Sequence, residues 1–331
     1  MARVSIRDVA KKAGVSVATV SLVLNGKGKE LRVSEALAEK VRNEAKSLNY
    51  KPNSFARGLR NGRSETIGLI VADISNPFFA HLAFHIQCYV EEYGYSVIIA
   101  NSDEKTDKME KIISVLKSRQ VDGFIIVPTE HGEKQIESLV KDKYPVVLVD
   151  RFFKGIEVSQ VFVDNYKASM EATNLLLNLN CKRIAHINYV YDLPHTRDRK
   201  EGYVTAMTKK GLYDPKLIKE VNFWTMVDDV QHAIMELISG DEKIDGFFFA
   251  SNTITITSLK ILSALKLDIQ KDIKMVCFDR SEVFDLFNYS IPYIRQPIPE
   301  MGKRAVELLF DQINSKDASF VYEELQANLV W

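Results

Sequence analysis

The stretch from Ser5 to Asn25, SIRDVAKKAGVSVATVSLVLN, constrains the fold more than any other part of the chain. It reads as two short helices joined by a tight turn, the geometry that lays a second helix in the major groove of duplex DNA. Ser5 stands ahead of an apolar run with Asp8 three residues on, which predicts a helix start. Ile6, Val9, Ala10 and Ala13 then recur at helical spacing on one face. Gly14 suits the left-handed backbone at a helix end, and Ser16 can cap a second helix whose buried face is Val20, Val23 and Leu24. Val17, Ala18, Ser21 and Leu22 are left pointing outward, where this motif meets bases. Alanine and valine stripes alone make an ordinary small core; two caps and a glycine at the right offsets favour the DNA motif.

A third helix is expected from Ser34 to about Leu48, with Leu37, Val41, Ala45 and Leu48 inward. Pro52 stops it, and Asn53 can cap a very short fourth helix, Ser54 to Leu59. That helix is too short to persist in water unaided. Arg57 and Arg60 are cationic, and Leu59 is an apolar residue on a polar linker. The segment is either a flexible basic linker or a hinge that folds on DNA and wedges Leu59 into the minor groove.

Net charge is zero over 331 residues, which argues against nucleic acid until its distribution is read. Residues 1–63 carry a net +9 and the remainder a net −9. A basic head on an acidic body confines salt-sensitive phosphate contact to one end. The three cysteines, Cys88, Cys181 and Cys277, lie far apart and read as reduced, mostly buried thiols of a cytoplasmic protein. No apolar run approaches the ~18 residues of a membrane span, no leader precedes the head, and no metal motif, nucleophile elbow or phosphate-binding glycine loop appears. His81 and His85, spaced four apart, lack an evident third ligand. No cofactor is expected.

After Arg63 short apolar runs alternate with amphipathic stretches. Strands are expected at Thr66–Asp73, Ser96–Asn101, Gly123–Val127, Val146–Val149, Arg183–Asn188, Gly246–Ala250 and Met275–Phe278, with helices such as Asp107–Arg119, Asn165–Leu179 and Asp228–Ser239 between them. Continuous apolar strands separated by helices define a doubly wound α/β body, and its length favours two lobes. Ligands of such sheets lie beyond the carboxyl ends of the strands. Those positions carry Asp73, Asn76, Phe78 and Phe79; Asp150 and Arg151; Ser251 and Asn252; and Asp279 and Arg280. HTRDRKEGY adds Arg197 and Arg199, and Trp224 lies in a connecting segment. Carboxylates, guanidinium groups and amides with a few aromatics can bind a polyhydroxylated ring. Each also has a plainer reading: Asp73 and Asp150 as turn formers, Phe78 and Phe79 as core, and Arg197 and Arg199 as surface partners of Asp192 or Asp198.

The pieces RDVAKKAGVSVATVS, VLNG, VSEALAEKV, NYKPNSFARGL and IGLIVADISNPFF, in that order, make the chain resemble a LacI/GalR-family transcription regulator, with weaker matches to its end. The resemblance implies a DNA-binding domain at 1–50, a hinge at 51–63 and a periplasmic-binding-protein-like effector and dimerisation domain at 64–331. Its lobes would span about 64–165 with 294–320, and about 166–293 with 321–331. It implies that Val17, Ala18 and Leu22 face bases, that Thr19 and Ser21 contact phosphates, and that Leu59 is the minor-groove lever. Ser5, Ser16, Asn25, Asn53, Ser54 and Arg57 complete the expected DNA-binding set. Leu22 stands where the family usually has Arg, which puts the operator sequence in doubt.

The effector set expected is Asp73, Asn76, Phe78, Phe79, Asp150, Arg151, Arg197, Arg199, Trp224, Asn252 and Asp279, with Arg199 and Asp279 at effector-contacting family positions and Asn252 where Asp is commoner. The partners implied are palindromic double-stranded operator DNA, a small effector, a sugar with a nucleobase as its main rival, and a second copy of the chain. Phe84, Cys88 and the Leu116 to Phe124 region are dimer-face candidates. A solute-binding protein or a sugar-modifying enzyme would share the body; the basic head argues against the first and the missing catalytic pairs against the second.

Overall fold

The computed structural model describes residues 4–24, 33–50, 63–240, 242–267, 271, 273–315 and 319–331. The expected hinge residues Asn53, Ser54, Arg57 and Leu59, and Asn25, lie outside these. The chain divides into two compact units, residues 1–64 and 65–331.

The first unit packs three helices, α1 (Ile6–Ala13), α2 (Val17–Leu24) and α3 (Glu35–Ser47). At the start of α1, the Ser5 N–H donates to the Asp8 carboxylate at 2.8 Å, and Gly14 ends the helix at φ +70°. The Thr19 N–H donates to Ser16 Oγ at 3.1 Å, which caps α2. Val9, Val20 and Val41, one from each helix, are fully buried, joined by Ala10, Ala13, Val23, Ala38 and Ala45. Inward-facing Leu37 was expected in α3; the buried position is Ala38, one residue on, and Leu37 is half-buried. Nothing larger than valine is buried among the described residues of this unit, which permits close helix packing.

The second unit holds two six-stranded sheets. Lobe one contains β1 (Thr66–Val71), β2 (Ser96–Asn101), β3 (Gly123–Ile126), β4 (Val146–Val149), β5 (Ser159–Val163) and β11 (Tyr322–Leu325), in the order β11-β5-β4-β3-β1-β2 and all parallel. Its helices are α4 (Pro77–Glu92), α5 (Thr106–Ser118), α6 (Glu133–Lys141) and α11 (Ile298–Asn314). Lobe two contains β6 (Ile184–Tyr189), β7 (Ile218–Val221), β8 (Gly246–Phe249), β9 (Lys274–Phe278), β10 (Tyr293–Arg295) and β12 (Asn328–Val330), ordered β12-β10-β9-β8-β6-β7. Only the β10–β12 pairing is antiparallel. Its helices are α7 (Asn165–Asn178), α8 (Pro194–Lys209), α9 (Met226–Ser239) and α10 (Asn252–Ala264).

The strands are apolar throughout because helices cover both faces. In lobe one, Ile67, Leu69 and Val71 pack with α4 and α11, while Ile70 packs with α5 and α6 on the opposite face. In lobe two, Phe247 and Phe249 lie on one face of β8 and Phe248 on the other.

The expected chain crossings near Tyr293 and Phe320 come later. Ile294 pairs with Phe278 in lobe two, so the chain returns only after Arg295. Glu323 pairs with Val161 in lobe one, so the last crossing follows Leu325. Strands β5, β7, β10, β11 and β12 were not anticipated, since they are short and their polar residues break the apolar pattern. Leu116 and Phe124 belong to the lobe-one core and cannot form a dimer face; Phe84 is 63% exposed and Cys88 half-buried on α4.

Candidate functional site

In the head, Val17 is 41% exposed, Ala18 and Ser16 are exposed, and Thr19, Ser21 and Leu22 are half-buried. Ser5 is exposed and tied to Asp8. The first turn of α2 thus offers small side chains and helix-start N–H groups, a surface on which a phosphate or a base edge can rest.

In the body, a cleft enclosing about 570 Å³, open mouth included, lies between the carboxyl ends of the two sheets. Asp73, Asn76, Phe78, Phe79, Asp150, Arg151, Arg199 and Asp279, all expected there, line it. Asp150 follows β4 and Asp279 follows β9, each with positive φ (71° and 67°). Each backbone N–H donates to the neighbouring strand, Asp150 to Val161 O and Asp279 to Ile294 O, both at 2.9 Å. Those bonds fix the left-handed turns that carry both carboxylates into the cleft.

Arg199 is set by helix packing. Gly202 lets α8 lie against α7, where a Cβ would come within 2.4 Å of Tyr166 O. One turn earlier, Arg199 Nε donates to Asn165 Oδ1 at 2.8 Å and Nη1 donates to Ala250 O at 2.7 Å. Its guanidinium lies over the Phe278 ring at 3.7 Å. Burial lowers the Arg199 pKa against the pull of Asp279 and Asp150. Burial pushes Asp150 up to about 6, opposed by Arg151 and Arg199, and it raises Asp279, opposed by Arg199 and the Gln296 amide. Asp150 lies 3.6 Å from Arg151 Nε, Asp279 accepts from Gln296, and both carboxylates line the cleft with Arg199.

Arg151 behaves differently. Its Nη1 and Nη2 donate to the two Glu104 oxygens at 2.6 and 2.5 Å, both side chains being 5% exposed. Burial opposes its charge, but Glu104 outweighs that and keeps its pKa above the ordinary value. Arg151 is thus a neutralised brace of lobe one. Asp73 accepts from the Ser75 N–H and hydroxyl, and Asn76 caps α4 through the Phe78 N–H, so both hold the rim turn.

Three expected residues fall elsewhere. Arg197 pairs with Asp192 at 2.8 Å and is half-exposed. Trp224 is 55% exposed, and its neighbour Phe223 lines the cleft instead. Asn252 is buried and donates to Arg280 O, outside the cleft lining. Glu104, Asn188, Tyr189, Tyr191, His195 and Gln296 line the cleft without having been expected there. The sequence YVYDLPH, aromatic residues just after a strand, was the readable signal for three of them.

The Tyr191 hydroxyl, His195 Nδ1 and Gln296 Oε1 are buried without a hydrogen-bond partner among the described residues. Burial raises the Tyr191 pKa and holds His195 well below the usual histidine range, so both are neutral. Tyr189, Tyr191 and Phe223 form an aromatic wall with centroids 5.9 to 6.5 Å apart. The lobes meet at the rim, where the Asp192 N–H donates to Glu130 at 2.8 Å, Lys105 lies 4.3 Å over Trp224, and Leu193 is buried in the lobe-one core.

These two parts, a three-helix head and a two-lobed body with a cleft, match known proteins along the length of the chain. Residues 5–53 match the model of bacterial regulatory proteins of the lacI family, and residues 64–319 match that of periplasmic binding proteins and the sugar binding domain of the LacI family. The ribose operon repressor of Halalkalibacterium halodurans is 34% identical, covering 98% of this chain and 95% of its own. Catabolite control protein A of Priestia megaterium is 30% identical over 96% of each. The solved complex of the transcriptional regulator CelR with cellobiose is 27% identical over 99% of each chain, with a TM-score of 0.73. The chain belongs to the LacI family of DNA-binding transcriptional regulators. No helix among the described residues is long and apolar enough to cross a membrane.

Proposed function

We propose that this regulator is a cytoplasmic repressor whose operator affinity is set by a small neutral carbohydrate held between its lobes. The observation that carries this reading is the convergence of Arg199, Asp150 and Asp279 in one cleft lining beside an aromatic wall. Ionised carboxylates accept from ring hydroxyls, the guanidinium donates to ring and hydroxyl oxygens, and the aromatic faces cover C–H surfaces. Because Glu104 neutralises Arg151, the remaining charges leave the cleft acidic, which disfavours phosphorylated ligands. The relatives named for a ribose operon and for cellobiose binding support the same class. The chain acts by binding rather than turnover.

Two heads on one palindromic site double the contacts of a small reading surface, so the working unit is a dimer, with exposed Phe84 on α4 at its interface. Leu59 serves as the minor-groove lever of the hinge. A ligand that favours one lobe arrangement changes how the two heads are presented, by no more than its difference in affinity for the two arrangements. A thermal-shift screen tests the effector class. A neutral sugar should raise the melting midpoint. Stabilisation by nucleobases or sugar phosphates alone overturns the reading.

A further inference from the structure

The loop that joins β6 to α8 reaches out of lobe two. Val190 and Asp192 are exposed, as loop residues ordinarily are, yet Leu193 is 1% exposed. Every other buried residue of its hydrophobic cluster belongs to lobe one, from Ile70 on β1 through Met109 and Ile113 on α5 to Phe153. A side chain of one lobe is thus held in the core of the other.

Each half of this contact is braced within its own lobe. On lobe two, the Thr196 hydroxyl donates to Tyr191 O at 2.6 Å and accepts from the Leu193 N–H at 3.3 Å. Arg197 pairs with Asp192 at 2.8 Å, so the first turn of α8 holds the loop that precedes it. On lobe one, the Thr106 hydroxyl donates to Glu130 O at 2.6 Å. Gly132 leaves room there for Met109, whose Cε would lie 2.7 Å from a Cβ at that position. Across the boundary, the Asp192 N–H donates to the Glu130 carboxylate at 2.8 Å. Two parts shaped in advance lose little conformational freedom when they dock.

We infer that Leu193 is a peg that joins the two lobes with no ligand between them, and that its seating sets the affinity of the cleft. The second half rests on the sugar-binding reading above. Leu193 does not itself line the cleft, but Tyr191, two residues before it, and His195, two residues after it, both do. Tyr191 stands close enough to Glu104 and Arg151 of lobe one for their charges to act on its hydroxyl. An unseated peg withdraws both residues from the lobe-one wall, and a ligand then meets an incomplete pocket. The fraction of molecules with the peg seated scales the affinity that the ligand shows, so Leu193 is a positioning residue.

Hydrogen exchange at the Asp192 amide tests the peg on the full chain without ligand. That N–H is bonded across the lobe boundary, so its exchange reports the lobes parting. It should be protected in the parent and exchange about thirtyfold faster in Leu193→Ala. Leu193→Met, close in volume, should restore the protection. Circular dichroism checks each fold, and if Leu193→Ala does not fold, the milder Leu193→Val should show a smaller acceleration of the same sign. An unprotected Asp192 amide in the parent, or exchange that ignores the loss of Leu193, overturns the peg. Isothermal titration calorimetry with D-ribose, D-glucose and cellobiose tests its link to the cleft. The sugar that the parent binds should bind about tenfold more weakly to Leu193→Ala and recover in Leu193→Met. Equal affinity in the parent and Leu193→Ala overturns the link. If no probe binds the parent, the sugar reading and the link fall together, while the exchange result alone decides the peg.

Discussion

In lobe one, β4 ends at Val149 and is followed by Asp150 and Arg151; in lobe two, β9 ends at Phe278 and is followed by Asp279 and Arg280. The strand orders correspond position by position, and both aspartates take the same left-handed turn. The arginines then diverge. Arg151 is buried and locked to Glu104, while Arg280 is half-exposed and pairs with Asp285. The other cation of the cleft comes from Arg199 on α8, whose hydrogen bonds go to the neutral oxygens of Asn165 and Ala250. One strand plan thus supplies two matching carboxylates, and the departures from it supply the asymmetry a ligand can read. Lobe one contributes a rigid brace. Lobe two contributes Arg199, His195, the tyrosines and Phe223.

The brace gives the largest expected effect. Glu104→Gln removes the bidentate partner of the buried Arg151 and leaves it only the longer Asp150 contact at 3.6 Å, which should cost about 3 kcal/mol of stability in urea unfolding. Replacing both residues by apolar ones, Glu104→Leu with Arg151→Met, should recover most of that loss. If the single variant is as stable as the parent, Arg151 is not a brace and the contrast between the lobes fails.

The paired carboxylates come next. Asp150→Asn or Asp279→Asn, nearly isosteric and tolerant of the left-handed turn, should weaken sugar binding by about 2 kcal/mol, or roughly thirtyfold. A hydroxyl donor requires the ionised carboxylate. Because Asp150 is pushed up to about 6, affinity should be full above that pH and fall about tenfold per unit below it. Asp150→Asn should flatten this profile. Calorimetry across pH reads both effects, and an unchanged slope in the variant would remove Asp150 from the site.

A third difference lies in the cores. His186 is fully buried between Tyr203 and Phe248, and burial drops its pKa to about 3. The unfolded chain takes up that proton near 6.5 and the folded one does not, so its contribution is whole above 6.5 and lost as pH falls toward 3. The expected slope is about 1.4 kcal/mol per pH unit. Lobe one buries no histidine among its described residues, so acid should loosen lobe two first. His186→Phe should shallow the acid limb of a stability–pH curve; a curve identical to the parent's would contradict this assignment.

The smallest effect is at the rim. Lys105→Met removes the cation over Trp224 and should weaken ligand affinity about twofold if that contact helps hold the lobes together.

Much of this plan was legible in the residues. Strands such as Val146–Val149 and Ser96–Asn101 announce themselves as apolar runs, and Asp150 and Asp279 were found because they end such runs. The strand SQVFV was missed because its Ser159 and Gln160 are polar yet buried, their side chains bonded to neighbouring segments: Gln160 exchanges hydrogen bonds with Phe153, and Ser159 Oγ accepts from Val321. Glu104 was missed for a related reason. Its role comes from Arg151, 47 residues away, and only the fold brings them together. Trp224 was expected where Phe223 stands, since a turn without periodicity gives no rule for which neighbour points inward.

Operator binding itself tests the central claim most directly. Fluorescence polarisation on a selected operator, with and without the saturating sugar, should show a shift of about 5- to 150-fold in affinity for the parent chain. The same sugar concentration should produce little or no shift in Arg199→Met, whose head is untouched. An operator affinity that ignores the sugar in the parent, or a full response that survives loss of Arg199, would contradict the account.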